Sequence, residues 1–316
     1  MENPVSALVD PSRFPGRARD AYVESFRTRT MDHQFHYDTE KQAQQWLAIH
    51  ESYSPARTDA DCQETYARAF GECARVVGEG ATLISIGCGG GQKDQALLAC
   101  LPGAHSYVPA DVSLTLALTA HFHCGMGGRS HPVVVDFARC ERFDGWLPQS
   151  EKRIFAFFGM LPNFEPEVAL GRLSQAMSKG EYLVVSANLA PGGDYRAGVE
   201  RVLPLYDNGA TRRWLATVLI DAGLAVTPEE LEFQVVEVNG LLRIEAGYRF
   251  RAEQRLRLDG EDFVYKSGDW FRLFYSYRHT PALLSERFAK HRFDIMQEWS
   301  TRSGEEGLFL CRKRAT

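Results

Sequence analysis

The chain has 316 residues, 44% of them apolar and 24% charged, the balance of a globular protein long enough for one large core or two smaller ones. A net charge of −5 leaves no basic footprint for a nucleic-acid partner, and no apolar run reaches the ~18 residues of a membrane span. Met1-Glu2-Asn3-Pro4 lacks the basic and apolar start of a secretory leader, and seven cysteines without a C-x-x-C pair argue against a zinc or disulfide framework. The expectation is a cytoplasmic protein with reduced thiols and no metal, acting on neither nucleic acid nor membrane.

Residues 1–60 are polar and aromatic-rich, with no long periodic segment before Thr39. Asp38 reads as the cap of a helix through Glu51, and a second helix is expected over 59–77, closed by Gly78-Glu79-Gly80. Strands and helices then alternate. Strands are expected at 82–86, 106–111, 132–136, 153–158 and 181–186, with helices at 92–101, 114–124 and 165–177. Short apolar strands separated by helical stretches imply a parallel sheet buried on both faces, a doubly wound α/β layer structure. After residue 190 the pattern changes. Helices at 195–206 and 210–222 precede short alternating strands at 233–238, 241–245, 248–250 and 261–265. Residues 293–296 and 307–311 read as a hairpin that returns to the main sheet. The expected division is a cofactor-binding domain over 60–190 and 280–316, with an α+β substrate subdomain over 1–59 and 191–279.

Ile86-Gly87-Cys88-Gly89-Gly90-Gly91 lies between a strand and a helix. Glycines there permit a sharp turn and the close approach of a ligand, and the helix N-terminus favours an anionic group. Cys88 suits the turn as a small buried side chain. Asp111 ends the second strand, 24 residues past Gly87, where a carboxylate can accept both ribose hydroxyls. Asp136-Phe137 ends the third, where the acid can accept an adenine amino group and the ring can stack on the purine. Each acid alone would also serve as a helix cap. Together, at the C-terminal ends of parallel strands, they point to a nucleoside cofactor. The glycines do not follow G-x-G-x-x-G, and Lys93 is not followed by Ser or Thr as in a P-loop. By analogy of fold, the insertion and the terminal hairpin suit a methyltransferase better than a dehydrogenase, so S-adenosyl-L-methionine (SAM) is the expected cofactor, in a Rossmann-like class I methyltransferase sheet.

The sequence also resembles a family, the histidine-specific SAM-dependent methyltransferases of the ergothioneine pathway. Phe35-His36-Tyr37-Asp38 is similar to its aromatic-Tyr-Asp segment, and Glu51-Ser52-Tyr53-Ser54-Pro55-Ala56-Arg57-Thr58 to its Tyr-Tyr-Pro-Thr-Arg. Tyr107-Val108-Pro109-Ala110-Asp111-Val112-Ser113 nearly repeats its Tyr-Val-Pro-x-Asp-Val-Ser. Phe157 to Phe164 resembles its Phe-Leu-Gly-Ser-x-x-Gly-Asn-Phe, Leu205-Tyr206-Asp207 its Ala-Tyr-Asp, and Arg243-Ile244-Glu245 its Arg-Ile-Glu. Gly87, Cys88, Gly89, Lys93, Asp111, Val112, Asp136 and Phe137 are the residues expected to hold SAM, and the resemblance adds a substrate site. It places Tyr37, Tyr53, Asn163 and Tyr206 at an amino-acid site, with Asn163, Tyr206 and Tyr37 orienting the reacting amine.

Two departures bear on the acceptor. The family's Glu-x-Ser, whose Glu grips the imidazole, aligns with Phe274-Tyr275-Ser276 or with Lys266-Ser267, and the acid is missing in both registers. Ala246 stands where the family has Met. Phe274 and Ser276 therefore join the candidate substrate residues, and histidine is not the expected acceptor. The aromatic run Trp270, Phe271, Phe274, Tyr275 and Tyr277 reads as a substrate pocket or as subdomain core. The expected activity is N-methylation of a small amine or amino acid. Two other readings stay open: attack on another SAM carbon with release of methylthioadenosine, and SAM binding without turnover.

Overall fold

The computed structural model describes residues 5–143, 145–150 and 152–315; the leader reading of residues 1–4 lies outside them. The strands are β1 (Leu8–Val9), β2 (Thr82–Ile86), β3 (Tyr107–Asp111), β4 (Val133–Val134), β5 (Arg153–Phe157), β6 (Tyr182–Asn188), β7 (Glu232–Val238), β8 (Leu241–Arg249), β9 (Gln254–Leu258), β10 (Glu261–Tyr265), β11 (Trp270–Tyr277), β12 (Phe293–Ser300) and β13 (Glu306–Lys313). The α-helices are α1 (Pro15–Thr28), α2 (Glu40–Tyr53), α3 (Pro55–Thr58), α4 (Ala60–Val77), α5 (Gln92–Cys100), α6 (Leu114–Cys124), α7 (Pro166–Ala176), α8 (Tyr195–Val202), α9 (Gly209–Asp221) and α10 (Pro281–Lys290).

The central sheet has eight strands in the order β1-β4-β3-β2-β5-β6-β13-β12. The first six run parallel, and β13 and β12 close the sheet antiparallel. Alternate side chains of the inner strands feed opposite faces. Ile84, Phe155, Val185 and Phe309 pack into the core shared with α7 and α10. Leu83, Ile154, Val184 and Leu308 pack into the core under α4 and α5. Both cores are therefore built from the same short apolar strands, which is why those strands read as unbroken hydrophobic runs. The order reverses beside β2, whose neighbours are β3 and β5. Open α/β sheets bind ligands at such a switch point, outside the carboxyl ends of the strands.

Residues between β6 and α10 form the insertion. Its sheet, β11-β8-β7, packs against α9 around Trp214, Leu215, Leu219 and Phe271.

Several local expectations are corrected. The segment before Thr39 holds α1, a helix the apolar spacing did not announce because only Val23, Ser25 and Phe26 of it are buried. Thr39, not Asp38, caps α2, in a capping box with Gln42. β1, not expected in the N-terminal segment, pairs with β4 in the main sheet. The strand expected at 132–136 pairs over two residues only. Those expected at 241–245 and 248–250 are one strand, β8. The helix expected over 195–206 ends at Val202, because Pro204 cannot supply a helical N–H. β9, β11 and α10 were not foreseen, although Thr280-Pro281 is a helix-start signal: the Thr280 side chain accepts the Leu283 N–H.

Candidate active site

β2 ends at Ile86, and the chain turns at once. Gly87, Gly89 and Gly91 have φ of +70°, +54° and +79°, conformations that side chains with a Cβ resist. The turn is also crowded. A Cβ on Gly87 would stand 2.3 Å from Met160 Sδ, and one on Gly89 2.7 Å from Trp46. The backbone here forms the floor of a cavity of about 630 Å³.

Asp111, 6% exposed at the tip of β3, faces the same space. Its Oδ2 accepts the Gly89 N–H at 3.0 Å and its Oδ1 the Ser113 N–H at 3.0 Å. Each oxygen keeps a lone pair for a ligand hydroxyl. Burial pushes the carboxyl up to about 6, against the pull of the Ser113, Gly89 and Val112 N–H groups. Asp136 accepts the Ala138 N–H at 2.9 Å and Arg139 Nη1 at 2.8 Å. Phe137 borders the cavity while packing on Phe143, Phe157 and Phe164. Burial raises the Cys88 thiol well above its ordinary value, so it remains a protonated packing group rather than a nucleophile.

The rest of the lining comes in part from the turn after β5, whose Met160 lies against Gly87, and from the insertion. Asn163 closes a short 3-10 turn, and its Nδ2 donates to the Tyr275 carbonyl at 2.8 Å. Its Oδ1 has no protein partner among the described residues. The Tyr206 hydroxyl receives Asn188 Nδ2 at 3.0 Å and Arg278 Nη2 at 2.9 Å, and shares a hydrogen bond with Ser276 Oγ at 2.9 Å. Arg278 is 5% exposed. Its Nη1 donates to the Leu189 and Glu305 carbonyls, its Nε is buried without a partner, and it meets no carboxylate among the described residues. Tyr37, Trp214, Phe274 and Tyr206 form a chain of ring contacts with centroids 5.5–6.4 Å apart. Burial and the Asp111 charge raise the Tyr37 phenol.

The cavity thus gathers Gly87, Cys88, Gly89, Lys93, Asp111, Val112, Asp136 and Phe137 with Tyr37, Tyr53, Asn163, Tyr206 and Phe274. Ser276 does not line it. It is 1% exposed and stands behind Tyr206. Lys266 and Ser267 are exposed in the turn before β11, which removes that register as a route to the cavity. The aromatic run divides. Phe271 and Tyr277 are buried, Phe274 faces the cavity, and Tyr275 lies between the guanidinium groups of Arg243 and Arg272.

Sequence reading missed Trp46, Asn188, Trp214, Arg278 and Glu306 on the cavity wall. Arg278 had a signal: Phe274, Ser276 and Arg278 are spaced by two, as on one face of a strand. The others depend on contacts between distant segments. Among the described residues no cluster of three or more metal-ligating side chains occurs, and no helix is long and apolar enough to cross a membrane.

The family model described as histidine-specific, SAM-dependent methyltransferase matches residues 19–313. No curated protein matches the sequence. Solved structures similar to this chain include a S-adenosylmethionine-dependent methyltransferase from Clostridium acetobutylicum, 11% identical with a TM-score of 0.48, covering 86% of this chain and 99% of that chain. Another is the magnesium protoporphyrin IX methyltransferase from Synechocystis with bound SAH, 13% identical with a TM-score of 0.45, covering 87% and 94%. A third is the 1,6-didemethyltoxoflavin-N1-methyltransferase from Burkholderia thailandensis, 11% identical with a TM-score of 0.44, covering 99% and 93%.

Proposed function

The chain belongs to the histidine-specific, SAM-dependent methyltransferase family, and on that premise we propose that it methylates the nitrogen of a small amine or amino acid other than histidine. SAM, when bound, supplies an electrophilic methyl group. The residues present suit it. Gly87, Gly89 and Gly90 leave backbone without side chains at the floor, and the Asp111 carboxylate has capacity for two hydroxyl donors.

What the chain contributes is orientation. The observation that carries the reading is that Asn163, Tyr206 and Arg278 line the same cavity as the glycine turn. Asn163 is fixed through its Nδ2, and its Oδ1 accepts an N–H of the acceptor, aiming the nitrogen. Tyr206 is fixed by Asn188 and Arg278. The unpaired buried guanidinium favours an acceptor that carries a carboxylate, since an ion pair relieves an isolated buried charge. Tyr37 and Tyr53 close the site from the N-terminal segment.

Phe274 supports the exclusion of histidine. By the resemblance, it presents a ring where the family pattern has a carboxylate, and the rings of Trp214 and Tyr37 continue that wall. An imidazole buried there loses the carboxylate partner, at a cost of about 1–3 kcal/mol. An apolar or aromatic side chain is accommodated without that loss.

Asn163→Ala tests the assignment. SAH affinity is expected to stay within error of the wild type, while turnover on the preferred acceptor falls by about 10²-fold. Unchanged turnover removes Asn163 from the site, and efficient turnover of histidine removes the exclusion.

A further inference from the structure

One wall of the cavity carries opposite charges in contact. Lys93 Nζ, on α5, donates to the Tyr66 hydroxyl at 2.7 Å and stands 3.7 Å from Glu306 Oε1. The Tyr66 hydroxyl donates to that same Oε1, and the Cys62 thiol lies 3.6 Å from Oε2. The ammonium is also 4.5 Å from the centre of the Tyr66 ring. Lys93, Cys62 and Glu306 all border the cavity. Burial, followed by the Glu306 charge, raises the Tyr66 phenol, so it remains a donor to the carboxylate.

The place of this cluster in the sheet gives it meaning. Asp136 follows β4, Asp111 ends β3 and Gly87 follows β2, in the spatial order β4-β3-β2. Glu306 opens β13 opposite Asn188, the last residue of β6, on the other side of β2. A nucleoside cofactor with its base at Asp136 and its ribose at Asp111 extends its remaining arm past Gly87 toward Lys93 and Glu306. In SAM that arm is an α-amino acid, with one ammonium and one carboxylate.

We propose that Glu306 receives the α-ammonium of SAM, with Tyr66 as the positioning residue that holds its carboxylate and Lys93 turning to the α-carboxylate. The exchange replaces one ion pair by two and leaves no charge buried alone, the condition under which poorly solvated pairs are tolerated. It also makes the wall selective for a zwitterionic arm. The proposal rests on the cofactor reading of the same cavity.

Calorimetric titration of the full chain with two ligands tests it. SAH carries the amino-acid arm; methylthioadenosine shares the base, ribose and thioether but lacks it. Glu306→Gln is expected to weaken SAH by about tenfold or more, the loss of one charge-assisted contact, and to leave methylthioadenosine unchanged. Tyr66→Phe is expected to weaken SAH alone, by less. Equal weakening of both ligands by Glu306→Gln would assign Glu306 to holding the β12–β13 turn against α4 and overturn the proposal, as would unchanged SAH affinity. Methylthioadenosine binding also reports that each variant is folded. If the wild type binds neither ligand, the cofactor reading itself fails, an outcome distinct from those.

Discussion

At the scale of single residues, Asp111 has the most exposed consequence. Its carboxyl rises from an ordinary 3.8 to about 6 chiefly through burial, and Asp94, buried under the Tyr107 hydroxyl, rises to about 6 for the same first reason. In the unfolded chain both acids ionise near 3.8, so the folded state binds the extra protons between the two values. This contribution favours folding below about 3.8 and is lost as pH rises through about 6. Ligand binding runs the opposite way, because hydroxyl donors prefer the ionised Asp111. SAH affinity is therefore expected to fall by up to about tenfold per pH unit below about 6. Asp94→Asn should keep that dependence and Asp111→Asn should lose it, along with most of the affinity. A flat profile from pH 5 to 7 in the wild type would contradict this account. Asp111 was legible in the sequence because a strand ending in an acid is a local pattern. Arg278, Asn188 and Glu306 were not, because each matters through a partner on a different element: Arg278 and Asn188 through Tyr206, Glu306 through Lys93 and Tyr66.

At the scale of elements, the joint between β2, α5 and α6 turns on Gly91. It caps α5 in the left-handed region, and a Cβ there would stand 2.7 Å from the Cα of Ala120 in α6. Gly80 has the same φ of +79° with nothing within 4 Å of its Cβ position, which isolates backbone strain from packing. Gly80→Ala is expected to cost about 1–2 kcal/mol, the strain alone. Gly91→Ala should cost more and also weaken SAH, since it drives α5 and its N-terminus away from the glycine turn. Equal losses in thermal unfolding would refute the packing argument. The strands of the main sheet could be read from sequence because burial on both faces makes them apolar throughout, as in Thr82–Ile86, buried at every position. α1 and β9 could not. α1 buries three residues of fourteen, and β9 buries only Leu256, so neither leaves a strong period.

At the scale of the whole molecule, the cavity is a product of topology. Its walls come from the N-terminal segment, the switch point of the sheet, the insertion and the turn between β12 and β13, from His33 to Glu306. α2 carries Trp46 over Gly89, and its helix neighbour α9 carries Trp214 beside Phe274. Arg243 and Tyr277 of the insertion both reach Glu165 at the start of α7. Glu165 is 45% exposed, so this contact adds little to stability and serves to register the two parts. The glycine turn and the acids lie close in sequence to their strands and were readable from them. The proposed acceptor wall is assembled from chain segments far apart, and sequence showed only its family-like fragments. The central claim is that the two halves of the cavity together move a methyl group to nitrogen. Its most direct test is to incubate the purified protein with SAM, alone and with a mixture of amino acids and amines, and to identify every product by mass spectrometry. The account predicts SAH only when the mixture is present, with one acceptor gaining methyl mass on nitrogen. Methylthioadenosine, above all from SAM alone, would contradict it.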